Sequence, residues 1–197
     1  MSITELAPAK LNLTLDVGAR RPDGYHEITS VMQSAALYDV VALETVETDD
    51  IVVECPGTDL PTGPDNLAWK AADVFFRETN IPYTGIFIRL EKKIPSQAGL
   101  GGGSSDAAAV LRGMRRLFSA NVSDEALETM AARVGSDVPY CVRGGTALAR
   151  GRGERLTALS PLPMCWFVIV KPPVAHSTAV MFRKMHEIAI ANRHASD

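Results

Sequence analysis

The stretch Ile94 to Leu111, IPSQAGLGGGSSDAAAVL, runs from a glycine-packed loop straight into a helix, and that arrangement suits the holding of a polyphosphate. Gly99, Gly101, Gly102 and Gly103 carry no Cβ, so the backbone there can take positive φ and turn successive N–H groups toward an anion. Ser104 and Ser105 suit the N-cap region of the helix that follows. Behind them Ala107, Val110, Leu111, Met114 and Leu117 recur at helical spacing, so the positive end of a helix dipole faces the same anion. No lysine precedes the serine pair, which argues against a Walker A loop. Ser104 stands where a dinucleotide fingerprint needs its third glycine.

Other charged residues stand where phosphate chemistry would use them. In the first strand Leu11, Leu13, Leu15 and Val17 alternate with Lys10, Asn12, Thr14 and Asp16, which puts Lys10 and Asn12 on one polar face. Asp137 follows Gly135 in GSDVPY and precedes Pro139, where the chain must turn sharply. Its carboxylate suits an N-cap for a short helix and equally a place beside a transferring phosphate, and the two roles are compatible. Arg150, Arg152 and Arg155 surround a tight turn marked by Gly151 and Gly153. Such a cluster suits contact with a diphosphate, or else a solvated hairpin whose arginines pair with local carboxylates such as Glu154.

The elements that must position these groups can be read from periodicity. After the first strand, RPDGY (Arg21 to Tyr25) is a turn, with Pro22 presetting φ and Gly24 accepting a left-handed conformation. Thr29 to Leu37, Val40 to Glu44 and Ile51 to Cys55 read as strands. A Pro- and Gly-rich loop from Pro56 to Pro64 then leads to Asp65 and Asn66, which suit the cap of a helix with Leu67, Ala71, Val74 and Phe75 facing inward. Ile86, Ile88 and Leu90 form a strand that feeds the glycine loop. Ser123 caps a further helix carrying Leu127, Met130, Ala131 and Val134, and Gly135 fits the position just past its end. A strand follows from Gly144 through Ala149, then an apolar strand from Trp166 to Val170 and a last helix from Ser177 or Thr178 with Met181, Phe182, Met185 and Ile188 inward. Strands first and then helices is an α+β layout.

Composition narrows the function classes. A net charge of -3 over 197 residues leaves no electrostatic footprint for nucleic acid. Cys55, Cys141 and Cys165 are odd in number and lack metal-type spacing, which reads as buried reduced thiols. His26, His176, His186 and His194 are scattered, with no pair at metal-binding helical spacing. No signal peptide opens the chain and no apolar run is long enough to span a bilayer, so the expected compartment is the cytoplasm and no membrane partner is expected.

The blocks PAKLNLTL (Pro8 to Leu15), RPDGYHEI (Arg21 to Ile28), DNLAWKAA (Asp65 to Ala72), PSQAGLGGGSSDAAA (Pro95 to Ala109), GSDVPY (Gly135 to Tyr140) and GGTALARGRGE (Gly144 to Glu154) span nearly the whole chain. Together they resemble the kinase superfamily of galactokinase, homoserine kinase, mevalonate kinase and phosphomevalonate kinase, the GHMP kinases. Within it, the DGYH and GTALARGRGE blocks resemble the branch that acts on 4-diphosphocytidyl-2-C-methyl-D-erythritol. The resemblance implies a GHMP-kinase N-terminal domain of the ribosomal protein S5 domain 2-like fold over residues 1–160, and the beginning of a second α+β domain over residues 161–197. It also implies transfer of the ATP γ-phosphoryl group to the 2-hydroxyl of a cytidyl-diphospho sugar alcohol, in the non-mevalonate route to isoprenoids. Lys10 and Asp137 match the catalytic lysine and aspartate. Pro95, Ser96, Gln97, Ala98, Gly99, Leu100, Gly101, Gly102, Gly103, Ser104 and Ser105 match the ATP loop, and Asn66 a position near the nucleotide. Tyr25, His26 and Phe182 match positions around the cytosine ring, with Asn12 beside Lys10 on the substrate side. Mg2+ is expected with ATP; its ligands are not legible, Ser105 being the candidate.

Members of the resembled family continue well past the position of Asp197. One apolar strand and one amphipathic helix cannot make a two-layer domain with its own core, so the apolar faces of residues 161–197 call for partners. Three readings stay open: a shortened form of an active kinase, a short member that completes its core as a homodimer, and a nucleotide or cytidyl-ligand binder without turnover. A kinase of the superfamily acting on homoserine or mevalonate is the other alternative, one that would not require Tyr25 and His26.

Overall fold

A computed structural model describes residues 1–82 and 84–172 together with Met181 and Lys184. Two very long strands, β1 (Ser2–Arg20) and β2 (His26–Val46), pair antiparallel along almost their full length. The turn between them forms at RPDGY: Gly24 sits at φ 85°, the Arg21 N–H donates to the Tyr25 carbonyl at 2.7 Å, and the Tyr25 N–H donates to the Asp23 carboxylate at 3.1 Å. The length of β2 gives its other edge room for two partners in succession. β4 (Gly85–Glu91) pairs with its Val40 to Val46 portion and β5 (Thr146–Gly151) with its Ile28 to Gln33 portion. β3 (Ile51–Glu54) adds parallel to β4, and β6 (Arg155–Ala158) antiparallel to β5, giving a six-stranded sheet.

Four helices complete the described part: α1 (Leu67–Glu78), α2 (Gly102–Leu117), α3 (Asp124–Val134) and the short α4 (Val138–Arg143). The core lies between sheet and helices, where Val41, Leu43, Ile86, Ile88 and Leu90 meet Phe75, Val110, Leu111 and Met114. Each of the apolar stripes expected on α2 and α3 is buried. Ser123 caps α3 by accepting the Ala126 N–H at 3.2 Å. Gly135 does end α3, but at φ -177°, which is ordinary extended backbone; its lack of a Cβ leaves room for Val138, whose Cγ2 would stand 3.3 Å from one. The α+β layout stands.

Four expectations need correction. The segments 29–37 and 40–44 are one strand, because Asp39 is fully buried inside β2 with its carboxylate satisfied rather than marking a break. Leu13 and Leu15 are exposed instead of forming a buried face. The cause is a register shift: Asn12 faces Met32 and Thr14 faces Val31, so Leu13 is an extra residue in β1 that breaks the alternation. Cys55 and Cys141 are buried thiols as expected, whereas Cys165 is exposed. Residues 166–170 form no strand: Trp166 and Val168 are 94% and 92% exposed, against 41% and 39% for Phe167 and Ile169. That alternation suits a strand with one side against the body and no neighbour to pair with. The expected last helix, with Phe182, lies outside the described residues apart from Met181 and Lys184. No described helix is long and apolar enough to cross a membrane.

Candidate active site

The same kind of irregularity that exposes Leu13 buries Lys10. A second shift falls between Pro8 and Ala9, whose β2 partners are Tyr38 and Ala35, so the consecutive residues Ala9 and Lys10 are both buried. Lys10 is only 6% exposed. Its Nζ donates to Asn12 Oδ1 at 3.1 Å and lies 3.2 Å from Asp137 Oδ2. An ammonium has three N–H donors, so beyond Asn12 and Asp137 it keeps donor capacity for a further acceptor.

Asp137 is freed for this pairing by its position. It stands at the N-cap of α4, with Pro139 in the first turn, yet its side chain makes no capping bond and turns to Lys10. Its side chain stays 32% exposed, open to an incoming molecule. The turn between β5 and β6 closes over it: a Cβ built on Gly153, at φ 114°, would stand 3.6 Å from Asp137 Oδ1.

The glycine loop reaches the same place. Leu100 and Ile94 are buried with Ala9 in a small cluster of their own, and the Lys10 N–H donates to the Leu100 carbonyl at 2.9 Å. Gln97, Gly99 and Gly101 all take positive φ, at 53°, 72° and 68°. A Cβ on Gly101 would stand 2.7 Å from Lys10 Cγ, so only glycine lets the loop lie on the lysine stem. Pro95, Ser96, Gln97 and Gly99 are exposed, Ala98 is half-buried, and α2 begins at Gly102 with Gly101 as its uncapped N-cap. The N-terminus of α2 is therefore left with its first N–H groups and dipole for an anion.

The N-cap of the helix is Gly101, three residues before Ser104, where the serine pair suggested it. Ser104 and Ser105 lie inside its first turns, and Ser105 is fully buried, its Oγ donating to the Pro8 carbonyl at 2.7 Å. Ser105 thus ties the start of α2 to β1. Asn66 is likewise committed: its side chain caps α1 by accepting the Ala68 N–H at 2.8 Å and donates to the Pro61 carbonyl at 2.6 Å. It still brings the start of α1 close to the loop, since a Cβ on Gly103 would lie 3.7 Å from Leu67 Cδ1.

Tyr25 and His26 sit at the turn from β1 into β2, Tyr25 half exposed and His26 partly buried. The Arg152 guanidinium lies over the Tyr25 ring, 4.9 Å from its centroid. Arg152 precedes Gly153, so the chain from Tyr25 through Arg152 and Gly153 leads to Asp137, Lys10 and the loop. Asn12 joins through its bond to Lys10; Phe182 lies outside the described residues.

Comparison with known proteins agrees with this geometry. Residues 66–145 match the GHMP kinases N terminal domain. The 4-diphosphocytidyl-2-C-methyl-D-erythritol kinase of Enterococcus faecalis is 45% identical over 197 residues, all of this chain and 68% of that protein. The chain belongs to this kinase family. The enzyme of the same name from Bacillus subtilis is 45% identical over 94% of this chain and 64% of its own length. A crystal structure of 4-(cytidine 5'-diphospho)-2C-methyl-D-erythritol kinase superposes with a TM-score of 0.72 at 38% identity, covering 92% of this chain and 63% of that one. The chain thus spans about two thirds of the family members it matches. The matched domain holds Asn66, the glycine loop and Asp137, whereas Lys10, Asn12, Tyr25 and His26 lie before it.

Beside the site, this kinase-family fold carries a buried charge cluster that reading the sequence missed. Lys92 Nζ bonds both Asp39 and Asp106, all three nearly or fully buried. Asp39 Oδ1 also accepts the Ile94 N–H at 2.8 Å, fixing the chain where the loop begins. Lys92 Nζ would be 3.5 Å from a Cβ on Gly102, directly behind the start of α2. Burial pushes Asp106 up to about 7 against the opposing pull of Lys92, and its Oδ1 has no partner. Burial by itself lowers Lys92, but attraction and hydrogen bonds to Asp106 and Asp39 outweigh it and leave the ammonium raised. The signals were present: a lone carboxylate within the apolar run of β2, and another just after the serine pair. Burial also pushes the Cys141 thiol up to about 12, which keeps it unreactive. No group of three or more metal-ligating side chains exists among the described residues.

Proposed function

We propose that this chain carries the transfer centre of an ATP-dependent kinase that phosphorylates the 2-hydroxyl of 4-diphosphocytidyl-2-C-methyl-D-erythritol, a cytoplasmic step in isoprenoid precursor synthesis by the non-mevalonate route. The observation that carries this reading is the Lys10 to Asp137 contact of 3.2 Å, tied to the glycine loop by the bond from the Lys10 N–H to the Leu100 carbonyl. Phosphoryl transfer needs little covalent help; positioning and charge stabilisation dominate.

In this reading the loop from Pro95 to Ser104 and the start of α2 hold the ATP phosphates, with Asn66 setting the neighbouring helix start. The acceptor hydroxyl enters beside Asp137, which takes or orients its proton. The oxygen forms a bond to the γ-phosphorus as the bond to ADP breaks. The remaining N–H of Lys10 stabilises the charge that develops between them. Tyr25 and His26 receive the cytosine, with stacking on the ring worth about 1–3 kcal/mol by analogy with base stacking, and Phe182 is proposed for its other side. Mg2+ enters as the ion ATP carries. Among the described residues Ser105 donates to the Pro8 carbonyl and Asp106 accepts from Lys92, with no group of three or more metal-ligating side chains beside them, so no step is assigned to the ion. Residues 161–197 begin a second domain whose exposed apolar segment is covered in a homodimer.

A second reading, a cytidyl-ligand binder without turnover, draws on the uncovered residues Trp166 and Val168. Equal concentrations of the cytidyl substrate, homoserine and mevalonate offered with ATP separate the possibilities. Phosphate on the cytidyl compound alone is expected. Phosphate on homoserine or mevalonate contradicts the acceptor assignment, and cytidyl binding without any transfer selects the binder.

A further inference from the structure

Resting on the cytidyl reading above, we infer that Arg152 is the residue that recognises the diphosphate of the acceptor, and so helps set its specificity. The three arginines around the Gly151 to Gly153 turn are not equivalent. Arg155 is tied to Glu27, at 2.5 Å, a carboxylate that also takes Arg21. Arg150 lies exposed within β5, opposite Arg155 in the ladder. Arg152 is the one that reaches Tyr25, its guanidinium over the ring 4.9 Å from the centroid.

A guanidinium over a ring keeps its donors. A cation–π contact consumes none of its five N–H groups as hydrogen-bond donors, so they stay available to an anion. No carboxylate is in ion-pair contact with Arg152 among the described residues; the charge of Asp23 acts on it only at longer range. The turn that carries it is braced, with the Arg152 N–H donating to Glu154 at 2.6 Å and the Gly153 N–H to the Arg150 carbonyl at 3.2 Å. The next residue, Gly153, lies against Asp137. A molecule with its base on Tyr25 and its hydroxyl at Asp137 must run its linking diphosphate past Arg152. A planar donor fork meeting two linked phosphates is the pairing this side chain is built for.

The test uses the whole 197-residue chain with ADP saturating the phosphate loop, and compares the Kd of cytidine with that of cytidine diphosphate. The ratio of the two isolates the diphosphate contribution. In Arg152→Ala that ratio is expected to fall by about tenfold or more, the size of a lost charge-assisted contact, with cytidine itself little affected. Arg152→Lys should restore part of the ratio, and Arg150→Ala should leave it unchanged. An unchanged ratio in folded Arg152→Ala overturns this inference and leaves the cytidyl reading in place. Failure of the native chain to bind cytidine, or binding that survives Tyr25→Ala, contradicts the cytidyl reading and overturns the inference with it.

Discussion

Lys10 joins three parts of the site through single atoms: its Nζ meets Asn12 and Asp137, its backbone N–H meets the loop, and its stem lies under Gly101. Removing the ammonium by Lys10→Met should lower kcat by about a hundredfold or more, the usual size of a lost charge stabiliser, with the KM for ATP nearly unchanged; a loss confined to KM would reduce Lys10 to a binding residue. Arginine should not rescue it, because a planar fork does not fit the place of a compact ammonium against the glycine backbone. Asp106 makes a prediction about stability instead. Its folded value, about 7, is above that of an ordinary carboxyl, so the folded state holds a proton that the unfolded chain gives up. Its contribution is therefore full below about pH 4 and is lost as pH rises through about 7. Asp106→Asn keeps the shape without the charge, so its Tm relative to the native protein should improve between pH 6 and pH 8. A constant difference across that range would show that the cluster does not titrate there. At this scale Lys10 and Asn12 were legible as one face, whereas Arg152 over Tyr25 was not, because no local pattern ties a hairpin arginine to a ring so distant in sequence.

The glycine loop suits a phosphate as an element because three things agree: alternating positive φ, two buried anchors at Ile94 and Leu100, and a helix that starts without a side-chain cap. Gly101→Ala should break all of this locally. The φ of 68° costs of order 1–3 kcal/mol for a residue with a Cβ, and that Cβ would meet Lys10 at 2.7 Å. ATP affinity and thermal stability should fall together; normal ATP affinity would contradict the assigned role of the loop. Ile86, Ile88 and Leu90, like the buried stripes of α2 and α3, were legible because burial there follows the local period. β1 was legible as a strand, but which of its residues are buried was not. The register shifts after Pro8 and after Asn12 depend on the pairing with β2, and they decide that Lys10 turns inward while Leu13 turns out. That Ser105 lies inside the helix and not at its cap was illegible for a related reason: the helix begins at Gly102, and the hydroxyl meets the Pro8 carbonyl.

At the scale of the molecule, the sheet and the four described helices bury one main core with a small second cluster at Ala9, Ile94 and Leu100, and the described residues from Leu159 to Pro172 lie outside both. Reading the sequence anticipated that Trp166 to Val170 needs partners, and its alternating exposure shows which side lacks them. If a second copy covers that side, the sedimentation mass should rise with concentration and Trp166→Asp should hold the protein monomeric; a mass independent of concentration would contradict the homodimer. The central claim, that Lys10 and Asp137 form a phosphoryl-transfer centre, also belongs to the whole chain, because it needs loop, strand and α4 assembled at once. It is tested most directly by single-turnover transfer from ATP to 4-diphosphocytidyl-2-C-methyl-D-erythritol in the native chain and in Asp137→Ala, with ATP binding recorded for both. The account predicts transfer in the native protein and a loss of about a hundredfold to ten-thousandfold in the variant, at unchanged ATP affinity. Transfer by Asp137→Ala at the native rate would contradict it.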